Sequence, residues 1–169
     1  MLKRVLIIGG YGNFGSFISK TLAKEPNIQL IVAGRSAEKS QQLVSELGAV
    51  NPAQCIVLDI NKNLSASLEN IQPDIVIHTS GPFQGQGYDV AQACIKHGAH
   101  YIDLADGRKF VENITNLHVK AKAKGLLVMS GASSVPCLTS ALIDYYLPKF
   151  KSLESLDYGI TTAQKTARG

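Results

Sequence analysis

Short runs of continuous apolar residues recur along this chain. Each is followed by a stretch whose apolar positions fall every three or four residues. The first run, Val5-Leu6-Ile7-Ile8 within residues 4–8, suits a strand buried on both faces. The next stretch, 13–24, spaces Phe14, Ile18 and Leu22 four apart, which predicts a helix with that face on a sheet, ended by Pro26. A second strand is expected over 29–33. Ser36 can cap the helix after it, which has Glu38 in its first turn, turns Leu43, Val44 and Leu47 inward and closes at Gly48. A strand over 55–59, a short helix over 64–70 and a strand over 74–79 complete the first half.

The second half keeps the rhythm. A helix over 88–97 turns Ala91, Cys94 and Ile95 inward and ends at Gly98. A strand over 100–104, a helix over 109–124 ending at Gly125, and a strand over 126–129 follow. Pro136 suits the first turn of another helix, which Pro148 breaks. Residues 156–162 differ in kind. Leu156, Tyr158, Ile160 and Thr162 alternate with Asp157, Gly159 and Thr161, the pattern of a strand with two unlike faces.

Continuous apolar strands joined by helices predict a mostly parallel sheet covered on both sides, a doubly wound α/β fold of the Rossmann type. One such domain is expected over residues 1–150. The alternating strand would begin a second unit over 151–169, and its open edge could pair with a copy of itself as a homodimer.

Composition narrows the partners. Hydrophobic residues make up 45% of the 169, enough for a core, and charged residues only 18%, which argues against disorder. The net charge is +4 and the lysines are scattered. Lys120, Lys122 and Lys124 end a helix, where cations favour its dipole, so they read as a solvated face and not a nucleic-acid patch. No apolar run approaches the ~18 residues of a membrane span, and the N-terminus lacks the pattern of a signal peptide. Cys55, Cys94 and Cys137 are far apart, form no CxxC and read as small buried side chains, which suits the cytoplasm. No metal-ligand cluster is expected.

The chemistry concentrates where the first strand ends. Gly10-Tyr11-Gly12-Asn13-Phe14-Gly15 fits G-x-G-x-x-G between a strand and a helix. Gly10 would let the chain turn out of the strand, Gly12 would leave room for a pyrophosphate, and Gly15 would let the helix pack close. The unpaired N–H groups at the helix start would face the phosphates. The plainer reading is a bare tight turn. At the end of the second strand, NAD sites place an acid about 20 residues on, to bind the ribose 2′-hydroxyl. Here Ala33-Gly34-Arg35-Ser36 contains no acid. Arg35 could grip a 2′-phosphate with the Ser36 hydroxyl beside it, which favours NADP, or it could face solvent. Asp59 could accept a hydrogen bond from the adenine amino group, with Ile60 against the ring, or it could start a turn. Thr79-Ser80-Gly81-Pro82-Phe83 leaves the fourth strand at the sheet edge where such folds bind ligands.

The segments GGYGNFG, AGRS, PDIVIHTSGPFQGQG, GAHYIDLAD and GASSVPCLTSALID, in this order, resemble the NADP-binding domain of the saccharopine dehydrogenase (saccharopine reductase) family over essentially the whole chain. The resemblance implies a Rossmann domain followed by a catalytic and substrate domain, with a chain that ends near Gly169 inactive by itself. It implies that Gly10, Gly12, Asn13, Phe14 and Gly15 hold the pyrophosphate, and that Arg35 and Ser36 hold the 2′-phosphate. Asp59 and Ile60 would flank the adenine. Ser80, Gly81 and Pro82 would lie by the nicotinamide-side ribose, Asp103 near the cleft floor, and Ser133 to Pro136 on the substrate side. Where the family often has Gly-Glu after Asp-Leu, this chain has Asp106-Gly107.

The expected activity is an NADP-dependent oxidoreductase acting on a small-molecule substrate, with hydride moved to or from a carbon–nitrogen or related centre and no catalytic residue assigned. Two rival readings remain. Tyr145 and Lys149, with Ser133 upstream, match the Tyr/Lys pair of short-chain dehydrogenases, although Pro148 falls between them. The chain could instead be a non-enzymatic module that senses NADP. His78 reads as a buried mid-strand histidine, not a catalytic one.

Overall fold

The computed structural model describes residues 2–159. Its strands are β1 (Lys3–Ile8), β2 (Ile28–Gly34), β3 (Gln54–Val57), β4 (Ile75–His78), β5 (His100–Asp103) and β6 (Val128–Met129). They form one sheet in the order β3-β2-β1-β4-β5-β6, with every pair parallel. The α-helices are α1 (Asn13–Leu22), α2 (Ala37–Glu46), α3 (Leu64–Ile71), α4 (Asp89–His97), α5 (Arg108–Asn113), α6 (His118–Ala123) and α7 (Thr139–Tyr146).

The doubly wound expectation holds, and the burial explains the continuous apolar runs. Leu6 and Ile8 of β1, with Ile31 and Ala33 of β2, face a core completed by Leu68 of α3, Cys94 and Ile95 of α4 and Ala121 of α6. Val5 and Ile7, with Leu30 and Val32, face the opposite side, where α1 and α2 contribute Ile18, Leu22, Leu43, Val44 and Leu47. A strand with helices on both sides has no solvent face to make polar. Its period of two therefore sorts residues between two cores and not between core and water.

The register carries β1 and β2 side by side from Lys3↔Ile28 to Ile8↔Ala33, and β1 and β4 from Val5↔Ile75 to Ile8↔His78. All carboxyl ends therefore lie along one edge. The strand order reverses between β1 and β4, which opens a crevice at that edge. Local signals act as expected. The Ser36 hydroxyl accepts from the Lys39 N–H at 3.3 Å as the cap of α2, and Gly98 and Gly125 take φ of +79° and +65° past α4 and α6.

Several expectations are corrected. Phe14 does not face the sheet. It is 68% exposed, because α1 meets the sheet through Gly15 and Ser19 at its start and through Ile18 and Leu22 further on. The helix expected over 109–124 is broken into α5, a 3-10 turn at Ile114–Leu117, and α6. Asn113, Ile114, Thr115 and Asn116 are poor helix formers, and the Thr115 hydroxyl bonds to the Glu112 carbonyl at 3.0 Å. Pro136 does stand in the first turn of the last helix: it follows Val135, the one non-helical residue of the helical turn Ser134–Leu138, which runs straight into α7 at Thr139. Cys94 is buried, but Cys55 is half-buried and Cys137 exposed. Leu156 to Gly159 form no strand and are exposed, and the rest of the strand expected over 156–162 lies outside the described residues.

The two-sided core sets a stability test. Leu6 is fully buried, whereas Leu127 is 49% exposed. Leu6→Ala is expected to lower unfolding free energy by about 2–5 kcal/mol in urea denaturation, and Leu127→Ala by no more than ~0.5 kcal/mol.

Candidate cofactor site

The loop leaving β1 is tied to its neighbours. The N–H groups of Gly9 and Gly10 both donate to the Ala33 carbonyl, at 2.9 and 3.0 Å, which pins the loop to the end of β2. The Thr79 hydroxyl lies 2.9 Å from the Ile8 carbonyl and 3.1 Å from that of Gly9, which pins it to β4. The buried Ser19 hydroxyl donates to the Gly10 carbonyl from α1 at 3.3 Å.

The glycines of the loop do different work from one another. The sharp turn is at Gly9, whose φ is +79°, and not at Gly10. A Cβ on Gly10 would lie 2.8 Å from Val32 Cγ1, so Gly10 is needed for contact with β2. A Cβ on Gly15 would lie 2.8 Å from Gly10 Cα and nearer still to the Gly9 carbonyl, so α1 can sit this close only with glycine there. Gly12 is different. A Cβ there would meet only the Gly9 carbonyl, at 3.2 Å, and the residue is exposed. Its missing side chain leaves open space and serves no internal packing.

That space is lined with donors. The first hydrogen bond of α1 runs from the Ser16 N–H to the Gly12 carbonyl at 2.8 Å, and no side chain caps the helix. The N–H groups of Asn13, Phe14 and Gly15 have no acceptor among the described residues. Three unpaired donors at a helix start suit a diphosphate by hydrogen bonding and by the helix dipole together.

The remaining expected residues lie along the same edge. Arg35 is exposed just past β2 and makes no hydrogen bond or ion pair among the described residues, and half-buried Ser36 begins α2 beside it. Asp59 follows β3, where its Oδ1 accepts from the Asn61 N–H at 3.0 Å and so initiates a turn. Ile60 packs on the core beneath it. Past β4, Gly81 and Pro82 are exposed and Ser80 is half-buried. The Gln86 amide holds this loop through the Ser80 and Pro82 carbonyls at 2.8 and 2.9 Å.

Under the β4 end lies a polar group that spacing along the chain did not assemble. His78 Nε2 is 2.9 Å from the Ser80 hydroxyl, and its Nδ1 is 3.1 Å from the Tyr101 hydroxyl. Asp103 is fully buried. Its Oδ1 accepts from the N–H groups of Ala105 and Gly131, both at 3.0 Å, and from the Ser130 hydroxyl at 2.8 Å, while its Oδ2 has no partner. The three hydroxyls, of Ser80, Tyr101 and Ser130, and the Asp103 carboxylate thus come from β5 and from the ends of β4 and β6. Burial pushes the His78 imidazole down to about 4, against the opposing pull of the Asp103 carboxylate. Burial, with Asp103 adding to it, also raises the Tyr101 phenol. Tyr145 and Lys149 lie elsewhere. Tyr145 is 70% exposed, and the Lys149 ammonium sits 5.9 Å from its ring centre and 4.9 Å from that of Tyr146.

A parallel sheet of this strand order, with an open glycine and unpaired donors at its switch point, defines a dinucleotide-binding Rossmann domain. Residues 5–129 match the family model described as the saccharopine dehydrogenase NADP binding domain. The chain belongs to that family, and NADP is its cofactor. It is 30% identical over 149 residues to the human saccharopine dehydrogenase-like oxidoreductase, covering 78% of this chain and 35% of that protein. It is 28% identical over 137 residues to the trans-acting enoyl reductase of Mycobacterium leprae, covering 78% of this chain and 33% of the relative. Its fold matches saccharopine dehydrogenase (L-Glu forming) from Saccharomyces cerevisiae with a TM-score of 0.64 and 21% identity, over 86% of this chain and 32% of that one. The chain spans about a third of the length of the curated relatives it matches.

His78 makes the fold sensitive to acid. An unfolded chain protonates this imidazole near its ordinary 6.5, the folded chain only near 4. Between those values the unfolded state binds the extra proton, so stability falls as pH falls through that window. From pH 7 to pH 5 this group alone should cost roughly 1–2 kcal/mol. Urea denaturation of wild type and His78→Gln at both pH values checks it. The variant should show the smaller loss, and equal losses would contradict the burial of a neutral imidazole.

Proposed function

We propose that the whole protein is an NADP-dependent oxidoreductase and that this chain supplies its cofactor-binding part. The observation that carries the reading is the open face at Gly12 beside three N–H groups and, at the end of β2, a guanidinium that have no partner among the described residues. The N–H groups of Asn13, Phe14 and Gly15 hold the diphosphate, with Gly10 and Gly12 leaving it room. Arg35 and Ser36 take the 2′-phosphate. Asp59 and Ile60 border the adenine, Asp59 through the oxygen its turn leaves free. Ser80, Gly81 and Pro82 lie beside the nicotinamide ribose, with Gln86 keeping their loop in place. When bound, the nicotinamide carries the hydride to or from an organic substrate. The chain's own part is to bind, orient and exclude water.

The substrate and the proton donor belong to the larger protein, so these residues alone bind cofactor without turnover. The relatives' lengths support that division, with residues 1–150 as the Rossmann unit and 151–169 leading into the next. So does an exposed apolar groove of about 580 Å³ lined by Leu142, Tyr146, Leu147, Phe150, Leu153 and Leu156. A homodimer and a cytoplasmic setting, which the free thiols suit, complete the reading.

Isothermal titration with NADPH and NADH tests the assignments. Arg35→Ala should weaken NADPH binding by about 10- to 100-fold, the loss expected for a hydrogen bond to a charged group, and leave NADH unchanged. Gly12→Val, which fills open space and not a packed contact, should abolish binding of both cofactors while the thermal midpoint moves little. Unaltered NADPH affinity in both variants would remove the reading.

A further inference from the structure

Tyr11, between Gly10 and Gly12, has a role that no glycine pattern assigns. Its ring lies against Gly34, the last residue of β2. A Cβ on Gly34 would fall 2.9 Å from Tyr11 Cζ and 3.0 Å from Cδ1, and closer still to Cε1. Position 34 therefore cannot carry any side chain while the ring is in place. That position is the end of the second strand, where a NAD site needs its ribose-binding acid. The ring occupies the seat of that acid.

The hydroxyl of the same residue is anchored. Tyr11 Oη accepts from the Ser36 N–H at 3.2 Å. A phenol oxygen that accepts one hydrogen bond still has its own proton to donate, and this proton has no acceptor among the described residues. Its oxygen is thus held at the Ser36 N–H, one residue along the chain from Arg35, which has no partner among the described residues. A 2′-phosphate brings acceptor oxygens to that place, and a 2′-hydroxyl does not bring the charge.

We propose that Tyr11 is a cofactor-specificity residue: its ring excludes an acid at position 34, and its hydroxyl, oriented by the Ser36 N–H, donates to the 2′-phosphate of NADP. This rests on the placement of the 2′-phosphate at Arg35 and Ser36. The two walls are complementary. One rejects the carboxylate that would select NAD, and the other adds a neutral donor to the guanidinium that selects NADP. Tyr11 also packs on the core that Val5, Ile7 and Val32 build, so the hydroxyl is delivered by a ring that has little freedom to swing away.

The test is titration of the 169-residue chain with NADPH and with NADH, read as the ratio of affinities, for wild type, Tyr11→Phe, Gly34→Ala and Arg35→Ala. Tyr11→Phe keeps the ring and removes the donor. It should weaken NADPH about tenfold and leave NADH as it was. Gly34→Ala keeps Arg35 and Ser36 but pushes the ring off its seat, so it should also lower the ratio, and it carries the test if Tyr11→Phe does not fold. An unchanged ratio in both overturns the proposal, as does an equal loss for both cofactors, which is what a purely structural tyrosine would give. If Arg35→Ala lowers the ratio while both of these variants keep it, the proposal fails and the 2′-phosphate placement stands. If none of the three lowers it, both fail.

Discussion

The close seating of α1 on the loop that leaves β1 is the constraint on which the rest of the site depends. A Cβ at Gly15 has no room against Gly10, and the Ser19 hydroxyl reaches back to the Gly10 carbonyl. With the helix this near, its first N–H groups have no side chain and no carbonyl of the loop as acceptor among the described residues. The crevice between β1 and β4 supplies the space in front of them, and two-sided burial of the sheet keeps that space from moving.

The specificity of the site is built at a different strand end by a different kind of contact. The glycine loop is backbone meeting backbone, indifferent to which nicotinamide cofactor arrives. The end of β2 instead offers side chains, the Arg35 guanidinium and the hydroxyls of Tyr11 and Ser36. Tyr11 joins the two, because it leaves the loop and lies on Gly34 with its hydroxyl on the Ser36 N–H. On the other side of the crevice, the β4 loop is stiffened by Gln86 and underlain by His78 and Asp103, which are buried and hydrogen-bonded.

Much of this was legible in the sequence, for identifiable reasons. Val5 to Ile8 announce a strand covered on both faces because both of their faces are covered. Gly10, Gly12 and Gly15 announce the loop because their spacing is set by one turn and one helix start, both local. Arg35 and Ser36 were legible because strand and cap fix their place. What sequence missed depends on approach in three dimensions. Gly9, not Gly10, makes the turn, which follows from how β1 exits between β2 and β4. Tyr11 meets Gly34 across 23 residues of chain, and the signal that could have found it is a glycine ending a strand opposite a tyrosine between glycines. Phe14 was misplaced because four-residue spacing says which residues share a face but not where the sheet ends. His78, Tyr101 and Asp103 come from neighbouring strand ends, which only the strand order brings together.

The most direct measurement is the amide spectrum of the 15N-labelled chain as NADPH is added. The account predicts that the largest changes fall on the backbone amides of Gly12, Asn13, Phe14 and Gly15. Largest changes along α7 and residues 152–158, with the glycine-loop amides unmoved, would contradict it.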